Sequence, residues 1–186
     1  FQPQLLVGLT ATPERMDGKD LRPDFGNRIS AEIRLPQALQ AGLLTPFQYL
    51  CISDDTDLSD DSLWSGQKYN IERLADKLCA KTRARLIVDA LHKYLADEYT
   101  CRALCFCVNK RHADFMAEQL RLYGFNAQSL TSDTPADERK QLAKDLREGT
   151  LHYLCVVDIF NEGVDIPEVD TVLFLRPTES LTIFLQ

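Results

Sequence analysis

Asp158, Glu162, Gly163 and Asp165 crowd one short stretch, Val156-Val157-Asp158-Ile159-Phe160-Asn161-Glu162-Gly163-Val164-Asp165-Ile166-Pro167. Carboxylates beside a glycine offer acceptors for hydroxyls and a place where backbone can approach a ligand closely. The same residues also suit an ordinary strand-to-strand turn. Polar groups recur just beyond other short apolar runs. Thr10 and Thr12 follow Leu5–Leu9, and Asn109 and Lys110 follow Ala103–Val108. Thr131 and Ser132 follow Ala127–Leu130, and Thr178 lies beyond Val169–Leu175. Hydroxyls at a strand end are free to bond a neighbouring loop, and for Asn109 and Ser132 helix capping is one reading. Arg139 is expected to pair with a carboxylate on its own helix. His112 is expected on a helix surface with no catalytic role.

The elements that must position these residues follow from the pattern of apolar residues. Leu5–Leu9 reads as a strand, as do Ala31–Leu35 and Leu43–Ile52, with a helix at Pro36–Ala41 between the last two. Asp54, Asp55, Asp57, Asp60 and Asp61 lie among serines without the ligand rhythm of a calcium loop, so 54–66 reads as a solvated loop with Trp64 as its anchor. Residues 71–97 are helical in pattern, with one amphipathic helix after Ala80. Lys81, Arg83, Arg85 and Lys93 are expected mostly on its solvated side.

Strands and helices then alternate: strand 103–108, helix 110–123 closed by Gly124, strand 127–130, helix 135–147, strands 153–157 and 169–175, and a helix from Ser180. Such alternation implies an α/β fold with a parallel sheet covered on both faces.

The 186 residues carry a net charge of −7, which argues against a surface-wide electrostatic grip on nucleic acid. Any such contact must be a local row of donors in a cleft. No apolar run of membrane-spanning length and no signal peptide is present. Cys51, Cys79, Cys101, Cys105, Cys107 and Cys155 form no C-x-x-C pair, so they read as buried thiols of a cytoplasmic protein, with zinc as the alternative. The chain opens at Phe1 inside an apolar run, from which a piece of a longer polypeptide is expected.

The order of the landmarks resembles superfamily 2 helicases. Thr10-Ala11-Thr12 is similar to motif III and Cys105-Phe106-Cys107-Val108-Asn109-Lys110-Arg111-His112-Ala113 to motif IV. Leu130-Thr131-Ser132-Asp133 with Asp137-Glu138-Arg139 is similar to the next strand end. Asp158–Asp165 with Pro167 is similar to motif V, and Val172–Pro177 to the strand leading to motif VI. Glu14-Arg15-Met16-Asp17-Gly18 most resembles DEAD/DEAH-box helicases related to the helicase subunits of type III restriction enzymes.

The resemblance implies a RecA-like lobe of the P-loop NTPase fold and an organisation along the chain. Residues 1–13 would be the last strand of a first lobe, 14–78 the linker and entry segments, and 79–186 the second lobe, truncated at motif VI. It implies an ATP-dependent nucleic-acid helicase or translocase, with DNA preferred over RNA and ATP and Mg²⁺ bound mainly by the first lobe. Gly163, Asp165 and Glu162 would face the nucleotide. Asn109, Lys110, Thr131, Ser132 and Thr178 would face nucleic acid, and Thr10 and Thr12 would couple the lobes.

Val157 and Glu162 depart from the usual Thr and Arg, and Thr131-Ser132 from the usual His-Gly. The P-loop, the acidic Mg²⁺ box and the motif VI arginines are not in the sequence. No catalytic residue is therefore assigned, and this chain alone is expected to be inactive. A non-catalytic lobe that binds a partner protein is the competing reading. A Rossmann-type enzyme is disfavoured because no Gly-x-Gly-x-x-Gly follows a strand.

Overall fold

The computed structural model describes residues 4–10, 21–66, 68–157 and 166–177. They fall into two compact units, one reaching Ile52 and the other starting at Ser53. Among its described residues the first unit has a 3-10 turn at Arg22–Phe25 and a short α-helix, α1 (Leu35–Gln40), opened by Pro36 in its first turn. The runs at 5–9, 31–35 and 43–52, expected as strands, form none here. Leu43 to Ile52 is exposed throughout. Apolar alternation gives a strand only when a neighbouring backbone completes the ladder, and these runs have no such neighbour among the described residues. Leu5, Leu6, Val7 and Leu9 are likewise exposed, while Gly8 lies against the Phe25 ring.

The second unit begins with the acidic loop. Asp54, Asp57 and Asp60 each accept the backbone N–H two residues on, at 2.8 to 2.9 Å. These are local turns of the kind that Asp favours. The anchor is Leu63, which is buried, and not Trp64. Trp64 is exposed and stacks on Tyr69 across a two-residue hairpin, β1 (Trp64–Ser65) and β2 (Lys68–Tyr69).

Two helices follow: α2 (Ile71–Leu78) and, after the extended Ala80 as the pattern predicts, the amphipathic α3 (Lys81–Tyr94). The break has a physical reason. The stripe Leu74–Leu78 would continue onto Lys81 and Arg85, both charged, so the apolar stripe restarts in a new phase at Ala84, Val88 and Leu91. Leu74 and Leu78 pack with Val108, whereas Ala84, Val88 and Leu91 pack against the sheet.

The sheet itself is built from β3 (Ala103–Phe106), β4 (Ala127–Leu130), β5 (Tyr153–Val156) and β6 (Thr171–Phe174), all parallel, in the order β4-β5-β3-β6. Helices α4 (Lys110–Leu122) and α5 (Ala136–Glu148) connect β3 to β4 and β4 to β5. Side chains alternate between the faces of each strand. Ala103, Cys105, Ala127, Tyr153 and Cys155 face α3 and α4. Leu104, Leu130, Leu154 and Val156 form the opposite layer, packed on Leu146 of α5. The small side chains Ala103, Cys105, Cys155, Ala113 and Ala117 let α4 approach closely, while Tyr153, Phe125 and Met116 fill the remaining space. The result is an α/β unit with a RecA-like parallel sheet and helices on both faces.

α4 ends at Gly124 and α5 at Gly149, both with positive φ; at α5 the Thr150 N–H returns to the Asp145 carbonyl. Among the described residues no helix is long and apolar enough to cross a membrane.

Candidate nucleic-acid interface

Parallel strands present their carboxyl ends on one edge, and the loops there carry the candidate residues. β3 exits through buried Val108 into Asn109, the N-cap of α4. The His112 N–H donates to Asn109 Oδ1 at 3.0 Å, and Asn109 Nδ2 donates to Glu72 Oε1 of α2 at 3.0 Å. Arg111 adds contacts to the Glu72 carbonyl at 3.2 Å and to Asp76 at 2.6 Å, so α2 clamps the start of α4.

β4 exits into Thr131, which is buried, and Ser132, which is exposed. The Thr131 N–H donates to Thr134 Oγ1 at 3.0 Å, and Thr131 Oγ1 accepts from the Asp133 N–H at 3.3 Å. The turn is closed from α5. Arg139 donates to the carbonyls of Thr134 and Ser132, at 2.8 Å each. This replaces the carboxylate pairing expected for Arg139: its planar fork reaches two carbonyls that a tight turn leaves turned outward.

β5 lies between β3 and β4, so the two loops are roughly 10 Å apart at strand spacing. Lys110 spans the gap, its Nζ meeting Asp133 Oδ1 at 2.6 Å. Asn109, Lys110, Thr131 and Ser132 thus share one end of the sheet. Thr178, Thr12 and the loop residues Glu162, Gly163 and Asp165 lie outside the described residues, and Thr10 sits in the exposed stretch of the first unit.

His112 is fully buried, not on a surface. Helix periodicity puts it on the same face as Ala113 and Met116, facing inward, and its Nδ1 accepts the Val108 N–H at 3.3 Å. Burial, with Arg83 and Arg111 nearby, holds its pKa down at about 4. Arg83 also departs from the expected solvated face. It is largely covered and bonds Asp54 Oδ2 at 2.8 Å. Burial alone would raise the Asp54 carboxyl; its bonds from Thr56 and Arg83 outweigh this and hold it below the ordinary value.

The six thiols are free, and Cys51 is exposed where a buried thiol was expected, because its segment packs on nothing described. Among the described residues no three His, Cys, Asp or Glu groups converge in a metal site. Sequence reasoning missed Glu72, whose role depends on which elements meet in space. Asp133 was visible within the Leu130–Asp133 run but carried no role.

Residues 85–186 match the family model described as the helicase conserved C-terminal domain. Over 180 residues the chain is 28% identical to a 51.5 kDa protein of Lactococcus phage (isolate 7-9), covering 97% of this chain and 38% of that protein. Over 182 residues it is 26% identical to the putative ATP-dependent helicase IRC3 of Saccharomyces cerevisiae, covering 97% of this chain and 26% of that one. The chain thus spans well under half the length of these relatives. The Pyrococcus furiosus Hef helicase domain is 23% identical with a TM-score of 0.42, covering 55% of this chain and 20% of that one. The family match takes in α4, α5 and the whole parallel sheet, and the chain belongs to the helicase conserved C-terminal domain family.

Proposed function

We propose that this chain is the C-terminal lobe of an ATP-dependent nucleic-acid helicase or translocase, and that its share of the work is to hold phosphates of the strand at the carboxyl end of its sheet. The observation that carries this reading is the convergence of Asn109 and Lys110, at the start of α4, with Thr131 and Ser132 beyond β4. The N-terminal turn of a helix favours negative charge, and small hydroxyls and one ammonium add contacts that ignore base identity. Lys110 is the one full cation among these groups.

In the same reading ATP and Mg²⁺ belong mainly to a first RecA-like lobe. Glu162, Gly163 and Asp165, in the connection after β5, would meet the nucleotide from this side. Thr10 and Thr12 would transmit between lobes, and Thr178 would extend the phosphate row. The organisation that fits has residues 1–13 belonging to the first lobe and 79–186 to the second. DNA is preferred over RNA as the strand, on the strength of the resemblance to restriction-type helicases. The location is cytoplasmic.

Lys110→Met tests the interface. Binding to single-stranded DNA should weaken, and the magnitude of the log–log salt slope should fall by about 1, the signature of one lost phosphate contact. An unchanged slope and affinity would remove Lys110 and the interface with it. The competing reading, a lobe that only binds a partner protein, is favoured by the occupied state of Lys110 and Asn109 and by the acidic balance. It predicts no binding of either DNA or RNA by the wild-type protein.

A further inference from the structure

Asn109 and Lys110, at the start of α4, are already held by carboxylates of this chain. Lys110 Nζ lies 2.6 Å from Asp133 Oδ1, and Asn109 Nδ2 lies 3.0 Å from Glu72 Oε1. Neither carboxylate is committed elsewhere by helix capping. α5 begins after Pro135 with no side-chain cap, so Asp133 does not serve its N-terminus. α2 is capped by Asn70, whose Oδ1 accepts from the Arg73 N–H, which leaves the Glu72 side chain to reach across to α4. Asp133 is instead aimed by its loop: its backbone N–H is tied to Thr131 Oγ1, in a turn pinned by Arg139.

We propose that Asp133, with Glu72 in support, is a built-in competitor for nucleic-acid phosphate at Lys110 and Asn109, so that strand binding must displace the internal carboxylates. This rests on reading the groove as a phosphate-binding surface, and it adds a regulation of that surface. A carboxylate presents two anionic oxygens where a phosphate presents its own, so the two compete for the same donors. Both Lys110 and Asp133 are exposed. An exposed pair of this kind is weak and screened by salt. Displacement is therefore easy: the device lowers affinity and shortens each contact without blocking the site. A lobe that must release its strand repeatedly benefits from contacts of that strength.

The test is a double-mutant cycle on binding to fluorescein-labelled oligo(dT), repeated with oligo(rU), at low and moderate salt. Asp133→Asn keeps an acceptor for Lys110 but removes the charge. It should tighten binding about three- to fivefold at low salt, with the gain shrinking as salt rises. In a Lys110→Met background the same change should give no gain. Glu72→Gln should give a smaller gain, and Glu148→Gln, which alters a pair on α5 away from the loops, should give none.

A gain from Asp133→Asn that persists without Lys110 would mean a general charge effect and would overturn the proposal. No gain while Lys110→Met still weakens binding would overturn the competition and leave the phosphate-binding reading standing. No effect of Lys110→Met would sink that reading first. A Glu72→Gln protein that binds as the wild type does would remove Glu72 from the device. The exposed positions of Lys110 and Asp133 keep these variants folded, and an unchanged thermal midpoint verifies it.

Discussion

The His112 ring has no solvent contact and gives one nitrogen to the Val108 amide. With Nδ1 accepting, the proton of the neutral ring sits on Nε2, which meets no partner among the described residues. Charging this ring would put a cation in the interior beside Arg83 and Arg111, so the folded state resists it down to about pH 4. The unfolded chain takes the proton near pH 6.5. The folded pKa is thus depressed: above about 6.5 the ring is neutral in both states and costs nothing. As pH falls from about 6.5 to about 4, the unfolded state alone gains the proton and stability declines. The loss totals about 3 kcal/mol at most. Denaturant titrations at pH 7 and pH 5 should show this slope in the wild type and a shallower one in His112→Gln. Equal slopes would show that other groups dominate. At this scale the chain was partly legible. Asn109 announces itself as a cap, because a short amide side chain before a helical run has one obvious task. His112 and Arg139 did not, since their partners are backbone groups brought near only by folding.

The layer on the α5 side of the sheet is thinner than the layer under α3 and α4. α5 contributes one fully buried side chain, Leu146, with Leu142 partly buried beside it. Its other residues are mostly charged, and its first turn carries Asp137 and Glu138, which favour the helix start. Leu146 packs on Leu104, Leu130, Leu154 and Val156, so removing it opens a cavity bounded by three strands. Leu146→Ala should cost about 3 kcal/mol in chemical denaturation, within the usual range for a buried leucine. A loss below about 1 kcal/mol would show that α5 is held mainly by its polar contacts, such as those of Arg139 to the Ser132 and Thr134 carbonyls. The alternation of strand and helix was readable here because four-residue apolar runs and glycine stops recur at regular distance. The division of α2 from α3 was also present in the phase of the apolar stripe, although neither proline nor glycine marks it. The strands proved shorter than their apolar runs, since pairing sets their ends: β6 extends only as far as β3 gives it partners.

At the scale of the molecule, the apolar clusters among the described residues all come from beyond Ile52. The three clusters draw on Leu58 to Leu175, and the only described core residue before Ser53 is Ala38. The runs at 5–9, 31–35 and 43–52 misled sequence reading for this reason. Their composition fits a strand, but composition does not supply the neighbouring backbone that makes one. An apolar side chain left in water adds nothing to the hydrophobic term, so the described runs before Ser53 should contribute little to cooperative stability. A protein beginning at Ser53 should retain the sheet, all three clusters and the Lys110–Asp133 contact. Its thermal midpoint should lie within about 4 °C of the longer chain, the shift that roughly 1 kcal/mol produces in a domain of this size. It should also keep its affinity for single strands, because every described candidate for phosphate contact lies after residue 108. Calorimetry on both proteins measures the first expectation and an oligonucleotide titration the second. A midpoint lower by much more than that, with a broadened transition, would mean that residues 1–52 belong to the cooperative unit. The same result with binding lost would place part of the phosphate interface in residues 1–52, against the assignment of Asn109, Lys110, Thr131 and Ser132.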